Sequence, residues 1–209
     1  MEEAVTVQSP EGPALEARLA RTAGSRAGFV ICHPHPLYGG DMDNPVVVRA
    51  AEVAQAGGYA TLRFNFRGTG KSGGVHDSGR GEREDVRAAV TALAAYLPAG
   101  SPVGIMGYSF GAAMAARAAR PDDPGVPIAL IAPPLEMFDL DFLQASPGRI
   151  LLVAGTADSY CPLAAFHRLA TLTGAEERVI DGADHFFFGK LYPLGEAIGA
   201  WLAGAAPAG

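Results

Sequence analysis

The chain has 209 residues and reads as a single domain over 1–209 with a sizeable core. Hydrophobic residues make up 49% and charged residues 18%, a balance that excludes a disordered chain. The formal charge of −6 argues against a nucleic-acid partner, which needs a basic face.

The N-terminus, "MEEAVTVQSPEG", is acidic and has no apolar signal core. No run approaches the roughly 18 apolar residues of a membrane helix, so a cytoplasmic protein without a membrane partner is expected. Cys32 and Cys161 sit in no metal or disulfide pattern and read as packing residues.

In chain order, "EAVTVQ" and "ALEARLAR" alternate apolar and polar residues, as half-exposed strands do. "GFVICH" (28–33) is a continuous apolar run, the mark of a buried strand. "NPVVVRAAEVAQAGG" has helical spacing and stops at Gly57 and Gly58. "YATLRFNF" is a strand, and "EREDVRAAVTALAAYL" a helix with acidic residues in its first turn. "PVGIMGY", "VPIALIAPP" and "RILLVAGTAD" are buried strands, and "ERVI" is a last short one. "FGAAMAARAAR", "PLAAFHRLATLTG" and "LYPLGEAIGAWLAG" are helices, and "AAPAG" a frayed tail. The last helix either covers the sheet or adds to a dimer contact, so the chain is expected to be a monomer or homodimer. Strand–helix alternation from residue 28 onward predicts an α/β fold. Its mostly parallel sheet carries helices on both faces and begins with an antiparallel pair. Sites in such sheets lie at the carboxyl ends of the strands.

"NFRGTGKSGG" (65–74) ends like a phosphate-binding P-loop. A P-loop needs glycine where Asn65 stands and a helix starting near Lys71. "GGVHDSGRG" is loop chemistry instead, and the next helix is expected near Glu82. The stretch therefore reads as a loop over one end of the sheet, with Arg67 as a structural ion-pair residue.

Gly107-Tyr108-Ser109-Phe110-Gly111 lies between a predicted strand and a predicted helix. A sharp turn here presents the Ser109 hydroxyl at a helix N-terminus, where developing negative charge is favoured. Ser109 is the candidate nucleophile. His185 follows the last short strand and is the candidate base. The acid should end the strand between them, which selects Asp158 over Asp184, Asp139 and Asp141. The oxyanion donors are expected to be the backbone N–H of Phe110 and one from "HPHPLYGGDMDNP". Pro34 and Pro36 have no N–H. Of His35 and Leu37, Leu37 is preferred. A metal at His33 and His35 lacks an evident third ligand, so the two histidines are expected to fix the loop, with no metal and no cofactor.

Five motifs in order, "HPHPLYGGDMDNPVV", "NFRGTGKSGG", "GYSFGA", "GTAD" and "ADHFF", resemble those of the alpha/beta-hydrolase superfamily. Within it the chain is similar to a group of small, lidless bacterial serine hydrolases, from about residue 4 to residue 204. The resemblance implies Ser109 as nucleophile, Asp158 as acid and His185 as base of an esterase-like enzyme acting on a small-molecule ester. Related dienelactone hydrolases carry a cysteine at the elbow; here the elbow holds serine. "LEMFDLDFLQASPG" leaves room for one short helix and no cap domain. An open site follows, with Leu37, Tyr38, Met137, Phe138 and Phe186 as its apolar wall, while for Phe187 and Phe188 packing in the core is an equal alternative. Such a wall suits short acyl chains.

Overall fold

The computed structural model describes residues 2–9, 11–119, 125–146 and 148–204. Its eight strands are β1 (Glu2–Gln8), β2 (Ala14–Ala20), β3 (Gly28–Cys32), β4 (Ala60–Phe64), β5 (Val103–Tyr108), β6 (Ile128–Ile131), β7 (Ile150–Gly155) and β8 (Glu176–Ile180). Five helices join them: α1 (Pro45–Ala56), α2 (Arg80–Ala95), α3 (Phe110–Ala118), α4 (Leu163–Thr173) and α5 (Leu191–Ala203). The strands form one sheet in the order β1-β2-β4-β3-β5-β6-β7-β8. β2 runs antiparallel to both β1 and β4, and the remaining pairs are parallel. This is the alpha/beta-hydrolase architecture.

Burial follows from the sequence pattern. β3 and β5 to β7 are apolar runs covered on both faces, β4 includes Thr61 and Arg63, and every residue in these five strands is buried. β2 alternates, with Leu15, Ala17 and Leu19 turned into the core. One core layer lies under α2, α3 and α4, and the other under α1 and α5. α3 is built almost wholly of small residues, and all of it except Arg117 is buried. α5 covers the sheet, burying Leu194, Ile198, Trp201 and Leu202, which resolves its apolar face as core.

The chain leaves β3 through α1 to β4 on one side, then returns through α2 to β5 on the other. The direction of winding reverses between β3 and β5. The loop after β3 and the turn after β5 therefore meet over the same edge of the sheet, where α/β folds bind ligands.

The helix expected from Glu82 begins at Arg80. Glu82 occupies its third position and reaches back, accepting from the Gly79 N–H and the Asp77 N–H, each at 2.8 Å. Between β6 and β7 the described residues contain one short 3-10 helix, Asp141–Ala145. The expected frayed tail, 205–209, lies outside the described residues.

Candidate active site

Ser109 lies between β5 and α3 with φ 55° and ψ −120°, a conformation that costs a non-glycine residue about 1–3 kcal/mol. Its neighbours hold it there. A Cβ on Gly107 would run into the carbonyl of Gly111, and a Cβ on Gly111 would run into the carbonyls of Cys32 and His33. The elbow needs both glycines because α3 turns back directly over β5 and against the end of β3. The hydroxyl is left at the first turn of α3, and Phe110, the first residue of that helix, has no intrahelical acceptor for its N–H.

The hydroxyl meets His185. Ser109 Oγ is 2.9 Å from His185 Nε2, and His185 Nδ1 is 2.9 Å and 3.0 Å from the two carboxylate oxygens of Asp158. Asp158 and His185 are both buried. Asp158 Oδ1 also accepts from the N–H groups of Tyr160 (2.9 Å) and Cys161 (3.1 Å), which fixes the carboxylate toward the ring. Backbone bonds tie the two loops together: Thr156 donates to Ile180 and Ala157 donates to Ala183. The Tyr108 hydroxyl donates to the His185 carbonyl at 2.9 Å. Burial, and then the Asp158 charge, raise the Tyr108 phenol, so it stays protonated as a donor.

The competing acids are occupied elsewhere. Asp184 Oδ1 accepts from the N–H groups of Phe186 and Phe188 in its own turn. Asp139 caps the N–H of Asp141, and Asp141 pairs with Arg168 at 2.7 Å. Cys161 is buried, and burial together with the Asp158 charge pushes its thiol up to about 12. Cys32 is also buried, and its thiol is likewise raised. Neither forms a disulfide.

The loop after β3 corrects one expectation. The Leu37 N–H donates to the His35 ring at Nδ1 (3.2 Å), its side chain is exposed, and Leu37 does not line the site cavity. The spacing from the strand end suggested Leu37, but a turn of 3-10 helix at Pro36–Tyr38 rotates its N–H back onto His35. The His35 N–H has no acceptor among the described residues, and His35 lines the cavity with its ring 4.8 Å from that of Phe110. Gly40 lets the loop close, since a Cβ there would strike the carbonyls of Pro34 and His35.

His33 and His35 do fix this loop. His33 Nδ1 donates to the Pro34 carbonyl (2.6 Å), and Nε2 accepts from the Phe66 N–H (2.9 Å). Both ring nitrogens are used, which leaves none for a metal. Burial lowers the His33 pKa to about 4, so the ring is neutral. His35 is held below its ordinary value first by burial and then by His76, whose ring lies 4.8 Å away.

The stretch that looks like a P-loop ties three elements together. Glu16 of β2 accepts from the Asn65 side chain (2.9 Å) and the Lys71 N–H (2.8 Å). Ser72 Oγ donates to the Asn65 carbonyl, and Asn65 Oδ1 accepts from the Met42 N–H. Arg67 pairs with the buried Asp85 at 2.7 Å, as expected. No helix starts at Lys71.

The cavity over Ser109 has a volume of about 440 Å³. Tyr38, Met137, Phe138 and Phe186 line it, as expected. Pro34, Pro134, Tyr108 and Tyr160 line it as well and were not expected. Tyr108 and Tyr160 adjoin the elbow serine and the acid in sequence, and that adjacency is the signal that would have found them. Phe187 is fully buried and Phe188 almost fully exposed, so the three consecutive phenylalanines divide between wall, core and solvent.

A profile of the family described as X-Pro dipeptidyl-peptidase (S15 family) matches residues 12–185. The chain belongs to this family of alpha/beta hydrolases. A solved alpha-beta serine hydrolase homologue from Coxiella burnetii is 33% identical to this hydrolase, with a TM-score of 0.87 over 96% of this chain and 97% of that one. An alpha/beta serine hydrolase without a lid from Xanthomonas campestris is 29% identical, with a TM-score of 0.89 over 100% and 96%. An uncharacterized protein of Rickettsia prowazekii is 33% identical over 92% of this chain and 85% of its own length. This hydrolase shares the lidless form, and none of its helices among the described residues is long and apolar enough to cross a membrane.

Proposed function

We propose that this hydrolase cleaves small carboxylic esters of short acyl chains through Ser109, His185 and Asp158. The observation that carries the reading is the chain of hydrogen bonds from Ser109 Oγ through His185 to Asp158. His185 Nε2 takes the Ser109 proton as Oγ attacks the ester carbonyl, and Asp158 holds the ring tautomer and stabilises the imidazolium. The tetrahedral oxyanion accepts from the N–H groups of Phe110 and His35. His185 then gives its proton to the departing alcohol. Water, losing a proton to the same nitrogen, releases the acid and restores Ser109.

The cavity wall supports an ester over a peptide with a free amino terminus. Among the described residues that line it there is no carboxylate, so a substrate ammonium would be desolvated without an ionic partner. A thioester shares the mechanism and is the second reading. Fluorophosphonate labelling with mass spectrometry tests the activated serine. The expected adduct is on Ser109 and is lost after denaturation or in Ser109→Ala; no adduct on folded protein would overturn the reading. A chain-length series of p-nitrophenyl esters tests the acyl preference, and a maximum at C12 or longer would refute it.

A further inference from the structure

A second cavity, of about 430 Å³, lies between α2 and the end of α3. Four arginines line it: Arg80, Arg83, Arg87 and Arg117. The first three stand at i, i+3 and i+7 on α2 and so share one helix face. Among the described residues no carboxylate lines it.

Among the described residues two carboxylates pair with these arginines. Asp77 pairs with Arg80 at 2.9 Å, and Glu84 pairs with both Arg83 and Arg87. Among the described residues four guanidinium charges therefore face two carboxylates, in a chain whose net charge is −6. A local cationic surplus in an acidic protein needs a reason, since elsewhere the chain's field repels anions.

Arg117 links this cavity to the active site. Its guanidinium carbon stacks 4.8 Å from the centre of the Phe138 ring, and Phe138 lines the cavity over Ser109. Arg117 also lies over the Gly79 turn, where a Cβ would come 3.7 Å from its Nη1. Arg117 is thus pinned between a glycine turn and an aromatic ring, and its fork of donors is held in place. A ligand that passes the edge of Phe138 meets ester chemistry on one side and guanidinium groups on the other.

We propose that this cavity binds the phosphate-bearing part of a ligand. Arginine forks match phosphate oxygens in pairs, and four arginines on two helices offer donors to more than one phosphate. Phe142, half exposed at the rim, offers a flat apolar face to the remainder of the ligand. On the ester reading above, on which this last step rests, the substrate is an acyl ester or thioester whose leaving group carries the phosphates.

The site is tested on folded Ser109→Ala protein, so that binding is read without turnover. Calorimetric titration with inorganic pyrophosphate should show binding that weakens with added salt. It should weaken about tenfold or more in the double variant Arg80→Gln, Arg83→Gln, which removes two solvent-facing charges. No binding, or equal affinity in the double variant, overturns the site. The link to turnover is read on protein with Ser109 intact, comparing one acyl thioester on a phosphorylated thiol with the same acyl on an unphosphorylated thiol. The phosphorylated form should have the higher kcat/KM. That preference should vanish in the double variant, while turnover of p-nitrophenyl acetate stays the same. Equal kcat/KM for the two forms breaks the link. Pyrophosphate binding by protein that hydrolyses none of these substrates would instead leave the site standing and overturn the ester reading.

Discussion

The N–H proposed as second oxyanion donor, that of His35, can be removed without changing the path of the chain. A side-chain substitution cannot delete a backbone N–H, but proline can. His35 has φ −58°, within proline's range, and its N–H has no protein acceptor to lose among the described residues. Its carbonyl, which accepts from Tyr38 and Gly40, is untouched by the change. His35→Pro therefore deletes one donor and one ring. His35→Ala deletes the ring alone, together with its contacts to Tyr38, His76 and Phe110. The ratio between the two variants isolates the N–H. One oxyanion donor is worth about 2.7–4 kcal/mol, so kcat for p-nitrophenyl acetate should fall about 10²–10³-fold from His35→Ala to His35→Pro. Far-ultraviolet circular dichroism and melting temperature establish that both variants fold. Equal kcat in the two would refute the assignment of His35. A loss in Leu37→Pro alone would return the role to Leu37.

Asp158→Asn should keep the fold and lower kcat by about 10⁴-fold, because the amide no longer fixes the His185 tautomer; unchanged turnover would remove Asp158 from the site. Burial sets the folded pKa of His33 at about 4, below its unfolded value of 6.5. Its contribution to stability is therefore full above about pH 6.5 and falls by roughly 3 kcal/mol as the pH drops toward 4, since only the unfolded chain takes up that proton. Urea midpoints measured from pH 7 to pH 4.5 should fall, and should fall less steeply in His33→Gln. Arg67→Ala leaves the buried carboxylate of Asp85 without its partner and should cost about 3–5 kcal/mol, read as a lower melting temperature. A melting temperature equal to that of the unaltered protein would mean the pair contributes nothing.

Much of the site was legible because each of its side chains follows the end of a strand. Ser109 stands after "VGIMGY" and Asp158 after "ILLVAG", and continuous apolar residues locate those two ends; His185 follows "ERVI", a short half-exposed strand whose last residue, Ile180, is buried. The glycines flanking Ser109 were readable for the same reason, since only a turn that packs backbone on backbone excludes a Cβ on both sides. The N–H proposed as second oxyanion donor was not legible. Which N–H faces the cavity depends on a 3-10 turn whose sense is set by Gly39 in a left-handed conformation and by a hydrogen bond to the His35 ring. Neither leaves a periodic trace. The start of α2 was legible to within two residues, because Glu82 marks its first turn. The three phenylalanines after His185 have identical side chains and unlike fates. The positive φ of Phe187 turns that ring inward, and composition carries no record of a dihedral angle.

The strand order separates what each half of the chain brings. Residues before 98 supply the His35 loop and the bracing stretch around Arg67, whereas the serine, the acid and the histidine all follow residue 103. The turn between α2 and β5 is exposed, with Gly100 in open space. A cut at that turn would divide the hydrolase into two fragments, one holding the proposed oxyanion donor without the proposed nucleophile and the other the reverse. The pieces would meet along β3 and β5. Recovery of the proposed hydrolytic activity would then report their reassembly, so the hydrolase could serve as its own complementation sensor.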